Sequence, residues 1–244
     1  MTRSPVRRSL ILFAREPSRE ARAKGFSASG AVDLFASFAT GWLDAAERAG
    51  ARLVVAAPAE DLAAWRRRLP SDRGISFIAQ RGRSFGERVE ESARRIASEG
   101  DSAVLVGGDV PPSARAVGRA FDALDREAGA VLAPAPDGGV SLIAIRAEDL
   151  DLLRHLTAGS TGVFATLADG LEERGRTVEL VDIAPDVDSR RDLRRLLRAG
   201  VVFAARSLAR CALALPSSRD GHRPSPRSLL LAGPSGLRAP PAFA

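Results

Sequence analysis

The chain has 244 residues, 45% hydrophobic and 27% charged, an ordinary globular composition long enough for one domain with a large core. Its net charge is +6, and half of that excess comes from the segment after Pro216, where Arg219, Arg223, Arg227 and Arg238 face only Asp220; the nearly balanced remainder argues against a nucleic-acid binder. Cys211 is the only cysteine, which excludes an internal disulfide and a Cys-based zinc site, and no apolar run approaches the ~18 residues of a membrane-spanning helix.

No secretory pattern opens the chain, so the cytoplasm is the expected location. The first element is the apolar run Ser9–Ala14, expected as a buried strand. It leads into a basic stretch read as a loop, with Arg15, Arg19, Arg22 and Lys24. Lys24 is the only lysine in the chain. A helix is expected over Ala31–Ala49, a strand over Arg52–Ala57, a helix over Glu60–Leu69, a strand over Gly74–Ala79, a helix over Phe85–Ser98 and a strand over Ser102–Gly107. The helix expected over Ser113–Glu127 has the clearest punctuation. Pro111 and Pro112 set its approach, and Ser113 is a candidate cap. Ala114, Val117, Phe121 and Leu124 recur at helical spacing, and Gly129 ends it. Strands follow over Ala130–Ala133 and Val140–Ile145, helices over Ala147–Leu153 and Thr161–Arg174, a strand over Thr177–Val181 and a helix over Arg190–Arg198.

This alternation implies an α/β fold in three layers, a mostly parallel sheet with helices on both faces. Strands such as LILFA and AVLVG are apolar at nearly every position, as burial on both faces requires. Trp42 and Trp65 fall at apolar helical positions and are expected in the core. One domain is expected over residues 1–200. A last helix is expected over 201–215, carrying Cys211 as a small apolar side chain. A disordered basic tail rich in Pro, Ser, Gly and Arg is expected over 216–244. His155 and His222 receive no role.

In an open α/β sheet, ligands bind at the carboxyl ends of the strands. Four segments follow such ends here: the Arg15–Lys24 stretch; Gly108-Asp109; Pro134 to Gly139; and Asp182 to Ser189. Cations bind phosphates, and a carboxylate at a buried strand end suits a hard divalent ion that bridges those phosphates. Lysine is a compact point charge where arginine is a wide fork, so a site that keeps the only lysine is a tight one. Each feature also has a purely structural reading. Asp109 is a candidate helix cap, Asp137-Gly138-Gly139 a hairpin turn, Asp186 and Asp188 candidate caps for the last helix, and the Arg-rich stretch a solvated face.

Taken in order, the motifs resemble the selenodomain-associated transferases. These bacterial proteins have the glycosyltransferase-A (GT-A) fold, similar to the guanylyltransferases that act on 2-phospholactate and on the molybdenum cofactor. The resemblance rests on Phe13-Ala14-Arg15-Glu16-Pro17, the run Gln80 to Arg88, Gly107-Gly108-Asp109-Val110-Pro111, Pro134 to Val140, Ser160-Thr161, and Asp186 to Leu193. It departs where the family has a glycine and this chain has Glu20, where the lysine falls one place later as Lys24, and where Val140 replaces a tyrosine. The resemblance implies a nucleotide-dependent transferase of GT-A-like fold with Mg²⁺ or Mn²⁺. Asp109 is then its metal-binding aspartate and Asp188 a second metal or substrate ligand. Lys24, with Arg15, Arg22, Arg88, Gly107 and Gly108, would hold the nucleotide. Asp137, Gly138, Gly139, Ser160 and Thr161 would line the acceptor site. The expected reaction is nucleotidyl transfer from a nucleoside triphosphate to a small phosphorylated or hydroxylated acceptor. Glycosyl transfer from a nucleotide sugar is one alternative, and a degenerate, non-catalytic nucleotide-binding or regulatory protein is the other. The expected partners are small molecules, with no nucleic acid and no membrane span; the sequence leaves the oligomeric state open.

Overall fold

In Arg7–Phe13 (β1), Leu10 and Leu12 pack into the core on one face of the strand and Ile11 into the core on the other, all three fully buried. Such a strand needs cover on both sides. The computed structural model describes residues 7–26, 29–70, 72–99 and 101–198. The helix expected over 201–215 and the tail over 216–244 lie outside the described residues, with Cys211 and His222. After β1 come α1 (Pro17–Ala23), α2 (Ser29–Arg48), β2 (Ala51–Ala57), α3 (Leu62–Arg68), β3 (Ser76–Ala79), α4 (Phe85–Ala97), β4 (Asp101–Gly107) and α5 (Ala114–Asp125). The chain continues with β5 (Ala130–Pro134), β6 (Val140–Ile145), α6 (Val163–Glu173), β7 (Val178–Leu180) and α7 (Arg190–Arg198). Among the described residues no helix is long and apolar enough to cross a membrane.

The seven strands form one sheet in the order β3-β2-β1-β4-β6-β5-β7. β6 runs antiparallel to β4 and β5, and the other pairings are parallel. The fold is therefore the expected three-layer α/β arrangement. α2, α3 and α5 cover one face with Trp42, Trp65, Val117 and Phe121. α4, a 3-10 stretch at Ala147–His155 and α6 cover the other with Val89, Ile96, Leu153 and Leu171. Both tryptophans are core, as expected, and Trp42 Nε1 donates to the Val110 carbonyl at 3.0 Å, tying α2 to the segment after β4. Ser113 caps α5 by accepting the Ala116 N–H at 3.2 Å.

Three local expectations change. The basic segment after β1 is a helix, α1, and not a loop. It lacks an apolar stripe; Pro17 at its first position and the Glu16 side chain, which accepts the Ser18 and Arg19 N–H groups, nucleate it instead. Residues 147–155 form a 3-10 helix where an α-helix was expected. The helix expected from Thr161 begins at Val163, because Gly162 precedes it with φ 88°.

Reversal of β6 matters for function. It places Val140 and Ser141, the first residues of that strand, at the same edge as the last residues of β1, β4 and β5.

Candidate functional site

A cleft of about 810 Å³ opens at this edge of the sheet. Its floor is built by β1 and β4, which run side by side with Phe13 opposite Gly107. Gly108 N–H donates to the Phe13 carbonyl at 3.2 Å, and a β-carbon on Gly108 would lie 2.4 Å from the Ala14 β-carbon. Only glycine permits that approach. The next residue, Asp109, is thereby delivered into the cleft beside the end of β1.

The segment after β7 starts at the edge of the sheet and returns toward β4. Its Val187 N–H donates to the Asp109 carbonyl at 3.0 Å, and Val187 itself is buried. That bond sets Asp186 and Asp188 beside Asp109, with one carboxylate oxygen from each lying within 4.8 Å of the others. Neither aspartate caps α7. Ser189 does, accepting the Asp192 N–H at 3.3 Å, which leaves both carboxylates to the cleft.

Facing them is Lys24, at the carboxyl end of α1. Its ammonium bonds Asp109 Oδ2 at 2.5 Å and also Asp188, with Glu20 Oε1 at 3.7 Å. Arg15 lies on the same side and donates to Glu20 at 3.1 Å. The local field is strong. Burial alone would lower the Lys24 pKa, but Asp109 and Asp188 outweigh it and hold the ammonium well above its ordinary value. Burial, followed by the charges of Asp109 and Asp188, pushes the Asp186 carboxyl up to about 6. Burial and the Asp109 charge likewise raise Glu20. Carboxylates gathered this closely call for a positive counter-charge.

The position of Lys24 depends on the anchoring of α1. Glu16 is buried; besides capping the helix it accepts from Arg68 at 2.8 Å, while its own N–H donates to buried Asp61 at 2.9 Å. Burial acts to raise the Glu16 pKa, but the hydrogen bonds from Ser18 and Arg68 outweigh it and lower the pKa below 4.5. A carboxyl lowered in the folded state stabilises the protein above its unfolded pKa and loses that contribution as pH falls through the folded value. Glu16→Gln is therefore expected to destabilise the protein at neutral pH and to differ less from wild type near about pH 3. Denaturant melts at the two pH values check this; a gap independent of pH would show that the carboxylate charge contributes nothing.

Of the residues singled out from the sequence, Arg15, Lys24, Arg88, Gly107, Gly108, Asp109, Asp137, Gly139, Ser160 and Asp188 line the cleft. Arg22 is exposed and outside the lining, and Gly138 and Thr161 are outside it too. Asp137 accepts the Gly139 N–H at 2.9 Å, so the Asp-Gly-Gly segment is a hairpin turn that also borders the cleft. Gly138 has φ 88°, and a β-carbon there would meet the Gly162 nitrogen at 2.8 Å. Among the lining residues to which the sequence assigns no site role are Asp186, Glu20 and Ser141. Asp186 belongs to a strand-end segment and to the Asp186–Leu193 motif, and its spacing to Asp188 is the signal that could have marked it as a ligand. Glu20 had been noted only as a departure from a motif. Ser141 is 5% exposed, and among the described residues its hydroxyl has no hydrogen-bond partner; no local pattern marks such a residue.

A family described as an uncharacterized protein conserved in bacteria (DUF2064) matches residues 43–160. Comparison with curated proteins gave no match. Among solved structures, a candidate nucleotide-diphospho-sugar transferase from Desulfovibrio desulfuricans G20 is similar at 24% identity, covering 85% of this chain and 95% of that one, with a TM-score of 0.71. Rv0371c of Mycobacterium tuberculosis H37Rv, solved as a complex with manganese, is similar at 18% identity, covering 80% and 100%, with a TM-score of 0.53. The 4-diphosphocytidyl-2C-methyl-D-erythritol synthase of Anaerococcus prevotii DSM 20548 is similar at 11% identity, covering 76% and 92%, with a TM-score of 0.53. These likenesses identify the fold as that of the nucleotide-diphospho-sugar transferases, GT-A-like.

Proposed function

We propose that this protein is a metal-dependent transferase that uses an activated nucleotide, moving a nucleotidyl group from a nucleoside triphosphate to a small phosphorylated or hydroxylated acceptor. The observation that carries this reading is the meeting, in one cleft at the strand ends, of a three-aspartate cluster with Lys24 and Arg15. The motif-by-motif resemblance to the selenodomain-associated transferases and the manganese-bound structural neighbour support it.

Asp109, Asp186 and Asp188 offer only hard oxygen donors, partly buried and close together, which fits Mg²⁺ or Mn²⁺ and does not suit a soft metal. A divalent ion held there would neutralise charge on the phosphates of the substrate. Lys24, Arg15 and Arg88 supply the fixed positive charge in the cleft. Among the described residues the Arg88 guanidinium has no carboxylate partner, so it is free to take a phosphate. The acceptor oxygen forms its bond to the α-phosphorus as the bond to the bridging oxygen breaks, and pyrophosphate leaves. A phosphate acceptor has no proton to lose, and a hydroxyl acceptor gives its proton to water in the open cleft. Positioning and charge neutralisation suffice for such a step.

The acceptor belongs beside the Asp137–Gly139 turn. There the partnerless hydroxyl of Ser141 is held at the start of β6. A buried hydroxyl left unsatisfied costs about 1–3 kcal/mol, so a partner from a bound acceptor would be favourable there. Ser141→Ala is expected to leave stability unchanged or raise it by about 1 kcal/mol while raising the acceptor KM about tenfold. A lowered melting temperature with unchanged KM would make Ser141 a packing residue instead.

One finding supports a second reading, glycosyl transfer: the Desulfovibrio neighbour is a candidate nucleotide-diphospho-sugar transferase. A thermal-shift screen of nucleoside triphosphates and nucleotide sugars, with and without Mg²⁺ or Mn²⁺, tests both, followed by product analysis. Pyrophosphate release supports nucleotidyl transfer, and release of a nucleoside diphosphate supports glycosyl transfer. Silence toward every nucleotide sinks both.

A further inference from the structure

The place that a divalent ion would take is not bare. Lys24 Nζ bonds Asp109 at 2.5 Å and also Asp188, two of the three aspartates whose oxygens converge within 4.8 Å. The lysine side chain is 10% exposed. A magnesium or manganese ion binding these oxygens at about 2.0–2.2 Å needs the volume in which the ammonium now sits. The two cations cannot share it.

We propose that Lys24 is the built-in counter-ion of this metal site: its ammonium holds the aspartates together in the metal-free protein and is displaced by the divalent ion, passing to Glu20 and to the incoming phosphates. The inference rests on the proposed reading in one respect, that the aspartate cluster takes a divalent cation. Charge supports the exchange. Among the described residues, six carboxylates line the cleft (Glu20, Glu60, Asp109, Asp137, Asp186 and Asp188) against three cations (Arg15, Lys24 and Arg88), a negative excess that favours a divalent ion over a single ammonium. Geometry supports it as well. Glu20 stands one helical turn before Lys24, with Oε1 3.7 Å from the ammonium, and it is already bonded to Arg15. A flexible four-carbon stem lets the ammonium leave the aspartates without moving α1. The consequence is ordered assembly. While Lys24 is bonded to Asp109 and Asp188 it is not available to a phosphate, so the metal completes the phosphate site by freeing it. The position of Glu20, where the resembled family carries a glycine, acquires a purpose: it is the positioning residue that keeps the displaced ammonium in the cleft.

Lys24 is the only lysine in the chain, so amine chemistry reports on it directly once peptide mapping separates it from the N-terminal amine. The full chain is treated with a limiting N-hydroxysuccinimidyl acetate at about pH 8, with and without saturating Mg²⁺ and without nucleotide. Held between two carboxylates, the side chain is only 10% exposed and shielded from the reagent; displaced by the ion it is open to attack, and acylation is expected to run about fivefold or more faster. In parallel, Lys24→Met is expected to bind Mn²⁺ about tenfold tighter than wild type by calorimetry, because no competing cation occupies the site. If wild type binds Mn²⁺ but the acylation rate ignores Mg²⁺, the displacement is refuted and the metal reading survives. Equal or weaker Mn²⁺ affinity in Lys24→Met also refutes it. If neither protein binds Mn²⁺, the metal reading falls and this inference with it.

Discussion

Asp109→Asn is expected to abolish metal-dependent transfer while the protein stays folded. Asp109 follows the strand at the centre of the cleft and is the residue that the other site groups meet. Its backbone carbonyl holds the Asp186–Asp188 segment through Val187, and its carboxylate holds Lys24. The substitution keeps the shape and the backbone bond but removes the charge, so the segment stays in place and only the electrostatics change. An asparagine carbonyl is a far weaker ligand for a hard cation than a carboxylate. Even removal of an outer partner of a metal ligand costs about 10–100-fold in affinity or activity, so loss of a ligand charge is expected to cost at least about a hundredfold. Mn²⁺ titration and product formation measure this, with circular dichroism confirming the fold. Transfer within about tenfold of wild type would remove Asp109 from the reacting centre.

Gly108→Ala is the largest expected effect on stability. The added β-carbon would sit 2.4 Å from Ala14 Cβ and 3.3 Å from Ala14 Cα, so it meets the backbone as well as a side chain. No rotamer relieves such a contact. The ends of β1 and β4 must separate, which strains the Gly108-to-Phe13 hydrogen bond and shifts Asp109 with it. Forced overpacking of this kind costs about 1–3 kcal/mol, or roughly 2–12 °C in melting temperature for a domain of this size. Metal affinity is expected to fall with it, because Asp109, the proposed ligand, moves with its strand. A variant as stable as wild type, with unchanged Mn²⁺ binding, would show that the strand ends open at no cost.

The central strands were legible because each is a short run apolar on both faces and bounded by turn residues, too short for a buried helix. α5 was legible from its prolines, Ser113 and the spacing of Val117 and Phe121. α1 was not: it buries only Pro17, Glu20 and Ala21 of its seven residues, so there was no stripe to find, and its anchor is a side-chain cap on Glu16. The site was legible in parts. Asp109, Lys24 and Asp188 stood out as charges after strands or as members of motifs. Ser141 did not, because what distinguishes it is a buried hydroxyl without a partner among the described residues, which no local pattern encodes.

Residue order alone determined what depends on near neighbours: strands buried on both faces, capped helices between them, and hence a layered α/β fold with its chemistry at the strand ends. It also placed a lone lysine after the first strand and aspartates after later ones. The tertiary structure decided which of these meet. Lys24 reaches Asp109 across 85 positions and Asp188 across 164. No local periodicity encodes such distances. They are set by the strand order that lays β1 against β4, by the reversal of β6 that brings Ser141 to the cleft, and by the Val187-to-Asp109 backbone bond that brings the last segment home. Packing turned a helix-cap candidate, Asp186, into a third carboxylate of the cluster. It also set the lysine after the first strand, expected to hold phosphates, against two of those carboxylates.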